Sequence, residues 1–330
     1  DLKALEGDAA NQRLSRLLHL CSPTAVALAS QAPATATAIS PYSNARSALR
    51  DDIRAQLVRW AAKEMRTRLF GVSRFVLKVF VDSTFSTVST VRFRAAAVLI
   101  GTTLADSMDD AAFTPVVPIY LQGIESVLQS FITRSSEYDS ADGKQTRELC
   151  YACLEKMSHR VPLLVIRSAS VVSTLFKLLD SEDEILVPKL YGALGALREA
   201  YQSRMQHLTD AVAAKSDVDE DATPADASTL IAITQANNAV RSSQTLQDVI
   251  VLARSSDAPK KRLAALQWAR AVFEWERIAL ETLVILADDS KPAVAAAVAK
   301  EFTALRGQMN ETRASLLINV ATSPLCRAAT

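Results

Sequence analysis

Two thiols three residues apart, Cys150-x-x-Cys153, are the spacing in this chain that comes nearest to covalent chemistry, since such a pair can form a redox disulfide or supply two zinc ligands. A redox pair of that kind sits at a helix N-terminus behind a strand, where the thiolate is stabilised. Here both cysteines fall in the middle of a helical stripe of Cys150, Cys153, Leu154, Met157 and Val161, which predicts two buried structural thiols. His159 would be a third zinc ligand, but a structural site needs a fourth and the neighbouring sequence offers none. Asp217, Asp219 and Asp221 open like a calcium loop, yet Ala222 stands where the tight turn needs Gly and Ser228 where a bidentate Glu belongs. That segment reads as a solvated linker. His19, His159 and His207 have no evident catalytic partners, and the sequence contains no nucleophile elbow, Walker loop or zinc-protease helix. The expectation is a protein that is not an enzyme, with no catalytic, cofactor-binding or metal-binding residue and no cofactor.

Lys260, Lys261 and Arg262 form the densest basic run. They fall in the first turn of a helix, where cations face the positive end of the dipole. The run reads first as a solvated face, and it is the candidate partner-binding site, toward an acidic protein rather than nucleic acid. Trp268 and Trp275 are expected to pack between repeats rather than to stand exposed as interface anchors.

What would position such residues is a helical framework. The chain has 330 residues, 49% hydrophobic and 22% charged, which is enough apolar material for a sizeable core. Its 37 basic and 36 acidic side chains nearly cancel, so no global field draws it to nucleic acid or an anionic membrane. Only 8 glycines leave little for phosphate-cradling loops or β-turns. The longest apolar run, around Ala95 to Gly101, is far short of the ~18 to 20 residues that cross a bilayer, and no membrane insertion is expected. The N-terminus shows no secretory signal, and four scattered cysteines do not make a secreted disulfide framework, so cytoplasm and nucleus are the expected locations. Beginning at Asp1 rather than Met, the chain is expected to be a piece of a longer protein.

Apolar stripes recur along it. After the Cys150 stripe, which stops near Arg160 before Pro162, come Val171, Val172, Leu175, Phe176 and Leu179, then Leu186, Leu190, Ala193, Leu194, Leu197 and Tyr201. Only an acidic turn, Ser181 to Glu184, separates the last two, which makes them a hairpin; its carboxylates are expected to complement the next helix dipole. The plan returns at Pro259 and Pro292, 33 residues apart, each in a first helical turn behind a candidate cap, Ser256 or Asp257 and Asp289 or Ser290. Thr90 to Ser107 is apolar on most sides and should be sandwiched between layers, and the segment from Thr114 opens the next pair. About four to six such pairs from Ala45 onward make an all-α solenoid of HEAT-like antiparallel hairpins. The expected organisation is an N-terminal helix and Ala/Thr/Pro-rich loop over 1–44, the loop itself spanning 31–44, then the solenoid over 45–330 with an acidic flexible insertion at about 215–228.

Five blocks in order carry a family resemblance: Thr114 to Ile132, Arg147 to Leu164 with its Ser158, Arg160, Pro162 pattern, Val171 to Tyr201, "RLAALQWARAVF", and "ETLVILADDSKPAVAAAVAKEF". Over roughly residues 70 to 310 the chain resembles the N-terminal half of the Ecm-type proteasome-associated HEAT-repeat adaptors and scaffolds. The resemblance implies a non-enzymatic scaffold that binds proteasome regulatory and core particle subunits, tethers or stabilises one on the other, and serves protein quality control. The hairpins taken alone equally permit another HEAT or armadillo scaffold, such as a nuclear transport receptor or a phosphatase scaffold.

Overall fold

A computed structural model describes residues 7–21, 41–86, 89–133, 138–216 and 244–323, and every regular element within them is helical. Two compact units result, one of Asp1–Val165 with Pro188–Ala193, the other of Ile166–Val187 with Leu194–Thr330. The first contains α1 (Gly7–Cys21), α2 (Pro41–Glu64), α3 (Ser73–Thr84), α4 (Val91–Ser107), the short α5 (Asp110–Phe113), α6 (Val117–Thr133), α7 (Ala141–Arg160) and the short α8 (Pro162–Val165). Helices α1, α3 and α6 neighbour one another in one layer and α2, α4 and α7 in the other, with pairs α1/α2, α3/α4 and α6/α7 joining the layers. In the second unit stand α9 (Ala169–Leu178), α10 (Val187–Ser216), α11 (Gln244–Arg254), α12 (Pro259–Phe273), α13 (Arg277–Ile285), α14 (Pro292–Gly307) and α15 (Glu311–Ala321). There α9, α11, α13 and α15 follow one another, and α12 packs on α11, α13 and α14. The fold class is an all-α solenoid of helical hairpins.

Helix starts show why the sequence folds this way locally. Oxygens of Thr90, Asp109, Ser140 and Asn310 accept the N–H groups of Phe93, Ala112, Gly143 and Arg313. Each takes up a donor that a first turn leaves unpaired. Where proline opens the helix the cap is different. Ala258 and Lys291 are the N-caps ahead of Pro259 and Pro292, and neither uses a side chain. The expected caps lie outside the helices because the residue before proline is forced into extended backbone and becomes the boundary. Ser256 Oγ and Asp289 Oδ1 instead accept the N–H groups of Ala258 and Lys291. The acidic turn also departs from expectation. Helix α10 begins at Val187 with no acid in its first turn, Glu182 is buried, and Asp183 accepts Ile185 N–H at 2.9 Å. Helix α2 starts at Pro41, so the end of the expected 31–44 loop is helical while 31–40 lies outside the described residues. The expected insertion lies outside them from 217 onward, and α10 runs through Ser216.

Helix α4 is the sandwiched element, buried at Phe93 through Val98 and again at Ile100, Gly101, Leu104 and Ala105. The run Asp110–Thr133 does reach the length and hydropathy at which a helix could span a bilayer, although its apolar residues are interrupted by polar ones. Its Val117, Tyr120, Leu121, Ile124, Val127, Leu128 and Phe131 are buried within the first unit, so its apolar character is that of a core helix. At the centre sits Phe80 of α3, with its ring centroid 4.8 Å from that of Tyr120. An ideal Cβ on Gly101 would lie 2.7 Å from Phe80 Cδ2, and one on Gly123 only 2.6 Å from Phe80 Cε1 and 2.9 Å from Thr84 Oγ1. Two of the chain's few glycines thus form the slot for one ring, and Tyr120 locks it by donating its hydroxyl to Gly101 O at 2.8 Å. In the second unit Trp268 is buried where three helices meet, edge-on to Phe176 of α9 at 6.1 Å and Tyr201 of α10 at 5.5 Å. Trp275 is buried beneath the Arg270 guanidinium, so both tryptophans pack between repeats.

Alanine in place of glycine inside a helix normally gains about 1 kcal/mol, whereas forcing an extra methyl into a filled core costs about 1–3 kcal/mol. Gly195→Ala, where a Cβ meets nothing within 4 Å, should raise stability in urea denaturation. Gly123→Ala should lower it by about 1–2 kcal/mol, because the Phe80 ring has no room to yield.

Candidate functional site

Cys150 and Cys153 are buried on α7, with Cys153 Sγ 3.8 Å from Met157 Sδ. Burial pushes the Cys153 thiol up to about 11 and the Cys150 thiol well above its ordinary value. His159 is exposed at the end of the same helix and does not join them. His19 is exposed on α1, His207 lies on α10, and Asp217, Asp219 and Asp221 fall outside the described residues. Among the described residues no three His, Cys, Asp or Glu side chains converge as a metal site would require.

The basic run is largely occupied within the protein. Lys261 Nζ lies 2.6 Å from Asp180 Oδ2. Arg262 makes a two-pronged contact with Asp289, Nε to Oδ2 at 2.5 Å and Nη2 to Oδ1 at 2.9 Å. Its remaining nitrogen donates to the carbonyls of Ser256 and Asp257 at 2.8 and 2.9 Å. This one side chain therefore ties the turn before α12 to the turn before α14. Such fork-to-carboxylate pairs are the stronger kind of hydrogen bond. The bond from Arg262, with help from Lys291 N–H, holds the Asp289 carboxyl below its usual range even though partial burial opposes ionisation. Arg262 is thus a structural residue, while Lys260 and Lys261 stand partly exposed at the edge.

The Ser158, Arg160, Pro162 pattern has a comparable role. Pro162 ends α7, and Ser158 Oγ returns to Leu154 O at 2.7 Å. Arg160 reaches over to the end of α4: it donates to Ala105 O at 2.6 Å and to Met108 O, pairs with Asp110 at 2.7 Å, and lies over the Phe113 ring at 4.5 Å. The pattern was visible in the sequence, but its partners stand some fifty residues earlier. Only stacked hairpins bring the two together.

The family described as proteasome component ECM29, N-terminal, matches residues 31–287. The chain belongs to this family. No curated protein and no solved structure matches the chain. The match to the ECM29 N-terminal family reaches further toward the N-terminus than the block resemblance, taking in all of α2. It closes just beyond α13, so Arg262 lies within it and Asp289 just outside.

In the native protein a maleimide at pH 8 should leave Cys150 and Cys153 unmodified, because thiols of raised pKa stay protonated and out of reach; in urea both should react, as read by mass spectrometry. For Asp289, whose folded pKa is depressed below the ordinary 3.8, the stabilisation is complete above that value and lost as pH falls through the lower folded value. Asp289→Asn should therefore destabilise the protein near neutrality, with the gap to wild type closing below about pH 4 in denaturation curves.

Proposed function

We propose that this chain is a non-enzymatic segment of a proteasome scaffold, binding regulatory and core particle subunits and tethering or stabilising one on the other in the service of protein quality control. The observation that carries the reading is the ECM29 N-terminal match over residues 31–287, which runs through hairpins of both units. The mechanism is geometric. A stack of hairpins is held by neighbour contacts, so it keeps its surface semi-rigid without a closed core, and a scaffold touching two particles raises the effective concentration of each for the other. We propose the cytoplasm and nucleus as its location, as the family resemblance implies.

The test is a pull-down of the tagged parent protein from native lysate, read by mass spectrometry, beside a version lacking this segment. Proteasome subunits should be recovered only with the segment present. Equal recovery from both versions would assign the attachment to another part of the parent.

A further inference from the structure

Helices α1 and α2 leave a groove of about 680 Å³ lined by Arg13, Arg16, Leu17, Leu20, Cys21, Arg54 and Leu57. On α1 the sequence Arg13, Arg16, Leu17, Leu20 follows i, i+3, i+4, i+7 spacing, so two cations and two leucines share one helical face. On α2, Arg54 and Leu57 stand three apart and supply the same pairing of charge and hydrocarbon. Leu20 is 70% exposed and Leu57 36%, an apolar surface that single scattered leucines would not make.

Charge decides what could fill it. Among the described residues three arginines line the groove and no acid does. The acids on nearby α2 are committed: Asp51 to Arg54 through its Nη2, and Asp52 to Arg92 at 3.0 Å. Asp8 stands at the far end of α1, about 18 Å from Leu20 along the axis. The Arg54 side chain is only 13% exposed, and its Nε and Nη1 are buried without a hydrogen-bond partner among the described residues. Buried donors of this kind cost free energy until an acceptor reaches them. The groove is more open surface than enclosed cavity, and leucines one helical turn apart suit an apolar helix face.

We propose that the α1/α2 groove docks an acidic amphipathic helix of a partner protein, its apolar side chains seated on Leu17, Leu20 and Leu57 and its carboxylates meeting Arg13, Arg16 and Arg54. This chemistry does not require the partner to be a proteasome subunit. The probe is a fluorescein-labelled peptide of about four helical turns with leucines on one face and glutamates flanking them, compared with its counterpart carrying lysine for glutamate. Anisotropy titration with the whole 330-residue chain should show binding of the glutamate peptide that weakens at high salt, and none of the lysine peptide. Arg13→Glu with Arg16→Glu, both exposed positions, should weaken it roughly tenfold or more at unchanged circular dichroism and melting temperature, and Leu20→Ser should weaken it at all salt concentrations.

Equal binding of the two peptides, or equal binding by the charge-reversed variant, overturns the proposal. So does absence of binding, whose origin two controls identify. If replacing residues 24–38 by a Gly/Ser linker uncovers binding, the chain's own connection occupies the groove. If sedimentation shows a dimer that the charge reversal dissolves, the occupant is a second copy.

Discussion

A carbonyl oxygen at the end of a helix has no partner within that helix, and stacking the next hairpin beside it takes its water away. This protein meets that constraint in several places with arginine and tyrosine side chains, some reaching across hairpins and some folding back on the turn before their own helix. Arg160 satisfies Ala105 and Met108 at the end of α4, Arg147 donates to Tyr138 O at 2.7 Å, and Arg94 to Ser86 O at 3.2 Å. Arg262 does the same for Ser256 and Asp257, and the Tyr201 hydroxyl for Ile166 O at 2.8 Å. Arg94 and Arg147 are among the largest fully buried side chains of the protein. A guanidinium suits this position because one planar group can serve two carbonyls, or a carbonyl and a carboxylate, and still lay its face on a ring. Arg147 does so over Tyr138 at 3.7 Å. Shortening such a residue would leave both the carbonyl and any remaining ionic partner unpaired, which costs more than the hydrogen bond itself contributed.

The same pairing explains why near-neutral composition and strong local charge coexist here. Many of the charged groups are spent inside the stack: Asp142 takes both Arg59 and Arg92, Lys156 takes Asp106, Arg270 takes Glu301, and Arg254 takes Glu281. Exposed pairs among these add little stability, since solvent screens them, but they fix which hairpin faces which. A basic run read along the sequence is therefore a poor guide to a basic surface. Lys261 and Arg262, read first as a solvated face and second as a site for an acidic partner, pair with Asp180 and Asp289 inside the protein.

Much of the fold could be read from residue types alone, because the information is local. The stripes from Cys150 to Tyr201 are buried as their spacing requires except at Val161, half-buried just past the end of α7; α7 stops at Arg160 ahead of Pro162, Pro259 and Pro292 open their helices, and α4 is enclosed as its composition demands. Helical hairpins write a period of three to four residues into the chain, and proline marks the boundaries. What stayed hidden depends on partners far apart in sequence. The slot for Phe80 joins glycines on two other helices, and nothing near Gly101 or Gly123 announces a ring against it. The Arg262 contact spans 27 residues and Arg160 reaches back more than fifty. The caps shifted for a local reason: Ala258 and Lys291, each held extended by the proline after it, become the helix boundaries, and the Asp289 carboxylate is taken up by Arg262.

Arg54, beside the α1/α2 groove, is less completely paired than the arginines that close helix ends. Arg160 and Arg262 have all three of their nitrogens directed at carbonyls or carboxylates of the protein. Arg54 has an acid on one nitrogen only, although it lies under the Phe93 ring on its other side at 5.1 Å. Its pKa is lowered, chiefly by burial, with Arg50 adding repulsion, so the environment as it stands disfavours the charge it holds. A solenoid in which neutralisation across hairpins is the norm has a local excess of cation where that norm fails. In a chain of formal charge +1, recognition of an acidic partner cannot come from the overall field and has to come from such a place.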